Sequence, residues 1–317
     1  DIASCLVGSE MCIRDSAWAI TFARAGCHVR LWDPEPKAIP EALAYIASVV
    51  DDLVRNDLAG GRSRDALIDG ITGSDTLAAA LQGALWVQEC GPERIDTKRE
   101  TFALMDEMAS QEAILASSSS ALLPSAISEG LAGRQRCVVA HPINPPYLVP
   151  AVELVPAPWT DAQTMERGAE FLRGIGQVPL VMEREIDGFI MNRLQGALLD
   201  EAFRLVEGGY ASAADVDRGI ADGLALRWSF IGPFETIDLN APGGIADYVA
   251  RYGPMYAGLA ESMRRQPDWA GITAAGIGAE RRQALPADGL SERQRWRDAR
   301  LMALRAHKRA ADAQFGK

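Results

Sequence analysis

The chain has 317 residues, 48% hydrophobic and 24% charged, the balance of an ordinary folded protein with room for two domains, which excludes disordered and fibrous classes. Lys+Arg 32 against Asp+Glu 43 leaves a net charge of −11, which repels nucleic-acid phosphates and anionic membrane surfaces, so neither is an expected partner. The five cysteines are odd in number and lack CxxC or Cys/His ligand spacing, so they indicate neither disulfide framework nor metal site and fit a reducing cytoplasm.

The chain opens on Asp1 rather than Met, which suggests a fragment or damaged amino end, and no basic-then-apolar leader pattern follows. AWAITFARAG (17–26) has helical apolar spacing and stops at Gly26, and CHVRLWD (27–33) is a short alternating strand ending in an acid. These read as the helix and second strand of a βαβ nucleotide-binding unit. The preceding CLVGSEMCIRDS (5–16) nevertheless lacks the glycines such a unit needs at its opening turn. Further on, ALWVQECGPE (84–93) and RCVVAHPINP (136–145) are buried-strand candidates closed by Gly or Pro, with the helical DTKRETFALMDEMASQ (96–111) between them. Alternating strands and helices predict a Rossmann-type, doubly wound parallel sheet over 1–184. From about Glu185 the strand signals fade into amphipathic helices such as GFIMNRLQGALLDEAFRLVEGG, SAADVDRGIADGL and SERQRWRDARLMALRAHKRAADAQF, so an all-helical second domain is expected over 185–317. No run of roughly 18 apolar residues is present to cross a membrane as a helix.

Five places carry candidate chemistry. Asp33 closes the second strand, where an acid either accepts from the ribose hydroxyls of a dinucleotide or simply caps a helix. His141 follows the strand CVVA, where doubly wound folds bind ligands; the alternative is a satisfied histidine in a Pro-rich loop. Glu153, twelve residues later in PAVELVP, is an acid among apolar neighbours that either partners His141 as a general base's support or leans out of an edge strand. ASSSSALLPS ends a strand in four hydroxyls, open to helix capping or to a substrate oxygen. Asn192 stands among apolar residues of a helix, where a buried amide requires partners.

Taken together, ASSSSALLPS, VVAHPINPPYLVPAVELVP, IDGFIMNRLQGALLDEAFRLVEGG and FIGPFETIDLNAPGG resemble the 3-hydroxyacyl-CoA dehydrogenase family, from about residue 17 to 310. AHPINPPY, GLALRWSFIGPFET and RQRWRDARLM look like its lambda-crystallin branch, the L-gulonate 3-dehydrogenases, rather than the CoA enzymes with their HFFNP-like stretch. The resemblance implies NAD as cofactor, His141 as general base, Glu153 as its orienting carboxylate, and Ser120 and Asn192 as partners of the reacting oxygen. It also implies Asp33 at the adenosine ribose and Glu93, Lys98 and Asn144 at the nicotinamide end. Family members carry a GxGxxG-type turn before the AWA helix, and its three glycine positions here hold Glu10, Cys12 and Asp15. CLVGSEMCIRDS looks like a translated sequencing-library adapter, so residues 1–16 are expected to be non-native and the chain as written to bind NAD poorly.

Between residues 35 and 72 four basic residues face seven acidic ones, which disfavours the phosphates of CoA and points to a small hydroxy acid such as L-gulonate. Arg227 in LALRWSFIGP is the candidate for its carboxylate, against the alternative of a surface arginine paired with an acid. The helical domain is the expected homodimer contact. Alternatives are a 3-hydroxyacyl-CoA or carnitine dehydrogenase, or a non-catalytic crystallin-like protein.

Overall fold

The computed structural model describes residues 3–7, 12–35 and 37–316. They form two compact units, Asp1–Asn192 with Asp298–Ala306, and Arg193–Arg297 with His307–Lys317. The second unit thus begins at Arg193, and Asp298–Ala306 of the last helix belong to the first.

In the first unit, β1 (Ala3–Val7), α1 (Cys12–Arg24), β2 (His28–Trp32), α2 (Ala38–Arg55), α3 (Arg64–Asp69) and β3 (Ile71–Gly73) make the first half of the winding. Then come α4 (Leu77–Leu81), β4 (Ala84–Glu89), α5 (Ile95–Met108), β5 (Ile114–Ser117), α6 (Pro124–Ser128) and β6 (Cys137–Pro142). An added segment follows, β7 (Ala151–Pro156), α7 (Ala162–Gly174) and β8 (Val178–Val181). The sheet order is β3-β2-β1-β4-β5-β6-β7-β8. Strands β1 to β6 pair in parallel, whereas β7 runs antiparallel to β6 and parallel to β8, so the expected all-parallel sheet carries a reversed edge. The reversal follows from the connection: residues 143–150 turn the chain straight back, too short for the crossover that a parallel neighbour requires.

Alternation along the strands builds two cores, one on each face. Ile114, Ala116, Val138, Ala140, Val152 and Leu154 join the aromatic residues Trp18, Phe22 and Trp86 in one cluster, while Leu115, Val139 and Val155 join Phe102 and Met105 in the other. Phe171 bridges Trp86 at 4.7 Å and Phe22 at 5.7 Å between ring centroids. Helix α1 brings a buried, Ala-rich face from Ala17 to Ala23 against this sheet and leaves it through Gly26, whose φ of 93° suits a residue without Cβ.

The second unit takes up α8 (Met191–Glu207), whose first two residues belong to the first unit, and then α9 (Ala213–Arg218), α10 (Ala225–Trp228), α11 (Pro233–Leu239), α12 (Gly244–Ser262), α13 (Trp269–Ile272), α14 (Gly278–Ala284) and α15 (Leu290–Phe315). The predicted single helix SAADVDRGIADGL is instead α9 running through a wide π-type turn over Gly219–Leu224 into α10. Among the described residues of this unit only Thr236, Ala241 and Pro267 are buried. Tyr210 remains 81% exposed and Phe234 75%. Among the described residues no helix is long and apolar enough to cross a membrane.

Candidate active site

Because β1 to β6 are parallel, the carboxyl ends of β2, β4, β5 and β6 open on one edge of the sheet. His141 lies near the end of β6, and the antiparallel register sets it directly opposite Glu153 of β7. Cross-strand partners share a face, so the imidazole meets the carboxylate, Nδ1 to Oε2 at 2.6 Å. Both side chains are buried, Glu153 to 1% exposure. The other carboxylate oxygen, Oε1, accepts the backbone N–H groups of Ile190 at 2.6 Å and Met191 at 2.7 Å, where α8 begins. Two consecutive left-handed residues, Gly188 (φ 76°) and Phe189 (φ 48°), precede these N–H groups. Phe189 is fully buried and packs its ring 5.8 Å from the imidazole, which explains how a non-glycine residue is held there. Glu153 therefore has both oxygens engaged, and the His141 tautomer with its proton on Nδ1 is the one that donates to it, while Nε2 has no hydrogen-bond partner among the described residues.

The four serines divide sharply. Ser117 donates to Glu89 at 2.6 Å, Ser118 accepts from Trp18 Nε1 at 3.1 Å and Gln88 Nε2 at 2.7 Å, and Ser119 donates to Glu93 while accepting Leu122 N–H at 2.8 Å. All three are buried. Ser120 differs: its N–H donates to Glu93 at 3.0 Å and its carbonyl accepts Asn192 Nδ2 at 2.7 Å, while its hydroxyl has no partner among the described residues. Asn192 thus lies beside Ser120, but it is exposed, not the buried amide the sequence suggested, because the apolar face of α8 is itself uncovered in this chain.

Glu93 Oε1 gathers the N–H groups of Ser120, Ala121 and Leu122 at 3.0, 3.0 and 3.3 Å. Burial pushes its carboxyl up, but the Ser119 hydroxyl, the Lys98 charge and these N–H groups outweigh burial and hold it below the usual 4.5. Lys98 is wholly buried, its ammonium 2.9 Å from both oxygens of Glu89 and 3.2 Å from Gly91 O, with Glu93 Oε2 at 3.8 Å. Its ammonium is enclosed by the Glu89 carboxylate, the Gly91 carbonyl and the Glu93 carboxylate. Glu89 was missed in the sequence, although an acid closing the apolar strand ALWVQE carries the same signal that singled out Glu153.

Asp33 follows β2, accepts Glu35 N–H at 2.8 Å through Oδ1, and keeps Oδ2 without a donor among the described residues. Burial, offset by the Glu35 N–H and reinforced by the Glu35 carboxylate, pushes its pKa up to about 6. A half-buried acid with an unused oxygen at this strand end fits the hydroxyls of an adenosine ribose. Asn144 is exposed in the loop after β6. Arg227 is exposed on α10 in the second unit and pairs with no acid among the described residues. Of the expected glycine positions, Glu10 lies outside the described residues, Cys12 opens α1, and Asp15 stands in the helix's first turn.

Residues 15–186 match the model of the 3-hydroxyacyl-CoA dehydrogenase NAD binding domain, and residues 188–276 match that family's C-terminal domain. Among curated proteins, the lambda-crystallin of Oryctolagus cuniculus is 41% identical over 98% of this chain and 97% of its own length. The L-carnitine dehydrogenase of Streptomyces coelicolor is 37% identical over 75% of this chain and 74% of its own. Among solved structures, an NAD+-dependent 5-formyl-3-hydroxy-2-methylpyridine 4-carboxylic acid 5-dehydrogenase superposes with a TM-score of 0.82 at 24% identity, over 96% of this chain and 98% of the other, a likeness of fold. The chain belongs to the 3-hydroxyacyl-CoA dehydrogenase family, a family of NAD-dependent oxidoreductases acting on CH–OH groups.

Proposed function

We propose that the chain oxidises the 3-hydroxyl of a small hydroxy acid, L-gulonate or one like it, to the 3-oxo acid, with His141 as general base. The His141 Nδ1 contact with Glu153 carries this reading, since it fixes the tautomer and leaves Nε2 as a lone-pair acceptor for a hydroxyl proton. Glu153 orients the ring and stabilises the imidazolium once the proton has moved to Nε2. The Ser120 hydroxyl and the Asn192 amide hydrogen-bond the reacting oxygen and its neighbours. Asp33 holds the adenosine ribose, with Glu93 and Asn144 toward the nicotinamide end. NAD+, when bound, supplies the hydride acceptor.

The acidic excess over residues 35–72 supports a substrate without CoA phosphates. The chain works as a homodimer through its helical unit, in the cytoplasm, where buried thiols such as Cys27, Cys90 and Cys137 stay reduced. As written it binds NAD weakly. An acid in the first turn of α1, Asp15, opposes the negative charge that a helix N-terminus otherwise attracts. The test follows NADH absorbance with L-gulonate, 3-hydroxybutyrate, carnitine and a 3-hydroxyacyl-CoA, using the chain with glycine at positions 10, 12 and 15. L-gulonate is expected to give the largest kcat/KM. Preference for carnitine or the thioester overturns the substrate class, and silence on all four overturns the catalytic reading.

A further inference from the structure

We propose that Phe189 is a positioning residue for the His141–Glu153 pair: its ring shields the imidazole from water, and its left-handed backbone turns the first N–H groups of α8 onto Glu153. The inference rests on the reading of His141 as general base, but its geometry is independent of that reading. Residues two apart on a strand share a face, so His141 stands beside Val139 and Glu153 beside Val155. Both valines belong to the apolar cluster of Leu115, Phe102 and Met105, and Phe189 is a member of the same cluster. The pair is thus set against a core. Phe189 is fully buried, with its ring 5.8 Å from the imidazole and tilted by 51° to it, and no other ring meets His141 among the described residues.

A φ of 48° is one that glycine adopts freely and a residue with a Cβ adopts at a cost. Glycine at 189 would remove that cost, as Gly188 does beside it at φ 76°, so the phenyl ring is held here against the local backbone preference. The turn carries the second half of the role. Phe189 N–H donates to Ile186 O at 3.0 Å, and the next two N–H groups, of Ile190 and Met191, both reach Glu153 Oε1. Glu153 pairs with no ammonium or guanidinium among the described residues, so its buried carboxylate depends on those two donors and on His141 Nδ1. Water entering beside the imidazole would compete for the same oxygens and loosen the orientation of the ring. An aromatic side chain packed there keeps that water out.

The test uses Phe189→Leu, which keeps an apolar side chain and the same backbone demand but removes the ring. Its control is Phe102→Leu, the same exchange at a buried α5 position of the same cluster, whose ring makes no contact with the imidazole among the described residues. In the full chain the readout is the Nδ1-bound proton of His141, a 1H resonance carried far downfield by its bond to a carboxylate. The parent and Phe102→Leu are expected to show it resolved and slow to exchange with water, whereas in Phe189→Leu its exchange quickens by about tenfold or more. In the chain with glycine restored at positions 10, 12 and 15, Phe189→Leu is expected to lower kcat by about tenfold with NAD affinity unchanged. A proton as well protected in Phe189→Leu as in the parent, or equally unprotected in Phe102→Leu, overturns the proposal and leaves Phe189 a core residue like its neighbours. If protection is lost while kcat is intact, the general-base reading fails and the positioning role stands. Should Phe189→Leu not fold, the parent decides: a slowly exchanging proton with a nuclear Overhauser contact between the two rings supports the proposal, and a proton exchanging too fast to be seen overturns it.

Discussion

At the scale of single residues the site depends on two carboxyl groups in opposite conditions. Glu153 has both oxygens occupied, and His141→Asn, which removes the base but keeps a polar group of similar size, is expected to lower kcat by roughly 10²–10⁴ with the fold intact by circular dichroism. Asp33 has an oxygen to spare and a pKa pushed up to about 6 from 3.8. Between those values the folded protein binds more protons than the unfolded chain, so this acid's contribution to stability is present below pH 3.8 and lost as pH rises through about 6. Asp33→Asn should therefore raise the melting temperature of the NAD-free protein at pH 8 and leave it unchanged at pH 3.5. NAD affinity of a glycine-restored parent should decline as pH falls through about 6, where the carboxylate becomes a poorer acceptor, whereas the Asn variant should bind weakly at every pH. A stability gain equal at both pH values would contradict the assignment.

At the scale of elements, Glu153 is where two strands and a helix meet. Its register with His141 depends on the antiparallel return of β7, and its second oxygen collects the opening N–H groups of α8. Glu153→Ala strands the two backbone donors of Ile190 and Met191 and the His141 Nδ1 group, and each buried unsatisfied group costs about 1–3 kcal/mol, so urea unfolding should move to markedly lower denaturant. Glu153→Gln keeps an oxygen for those donors and should unfold near the parent, yet lose roughly 10- to 100-fold in kcat because it no longer stabilises an imidazolium. Equal losses of stability in both variants would reduce Glu153 to a helix support. The start of α1 follows the same logic of helix ends: replacing Glu10, Cys12 and Asp15 by glycine should bring NAD binding by calorimetric titration from undetectable into the micromolar range, and micromolar affinity in the unaltered chain would refute the charge argument.

At the scale of the molecule, the two units differ in how they bury apolar surface. The sheet unit has a core on each face, while across the helical unit's described residues Thr236, Ala241 and Pro267 alone are buried. Phe230, Phe234 and Leu239 are each at least 70% exposed, and these apolar side chains are the proposed homodimer contact. Sedimentation should find a dimer at micromolar protein, and Phe230→Asp with Phe234→Asp should shift it toward monomer. A monodisperse parent monomer would rule out the homodimer.

Much of this was legible before any coordinates. The helical spacing of AWAITFARAG, the alternating CHVRLWD and the apolar VVA before His141 report local periodicity, which neighbouring residues alone enforce. Those patterns, with the motifs around His141, Glu153 and Asn192, were enough to identify the doubly wound sheet, the helical second domain and the family. What periodicity does not encode is which distant groups share a face. The reversal of β7 that sets Glu153 against His141, the division of four adjacent serines into three bonded hydroxyls and one without a partner among the described residues, and the burial of Lys98 against Glu89 all arise from contacts between separate strands and helices. Such contacts are chosen by packing and by the need to satisfy every buried charge, and only the assembled chain brings those partners within reach.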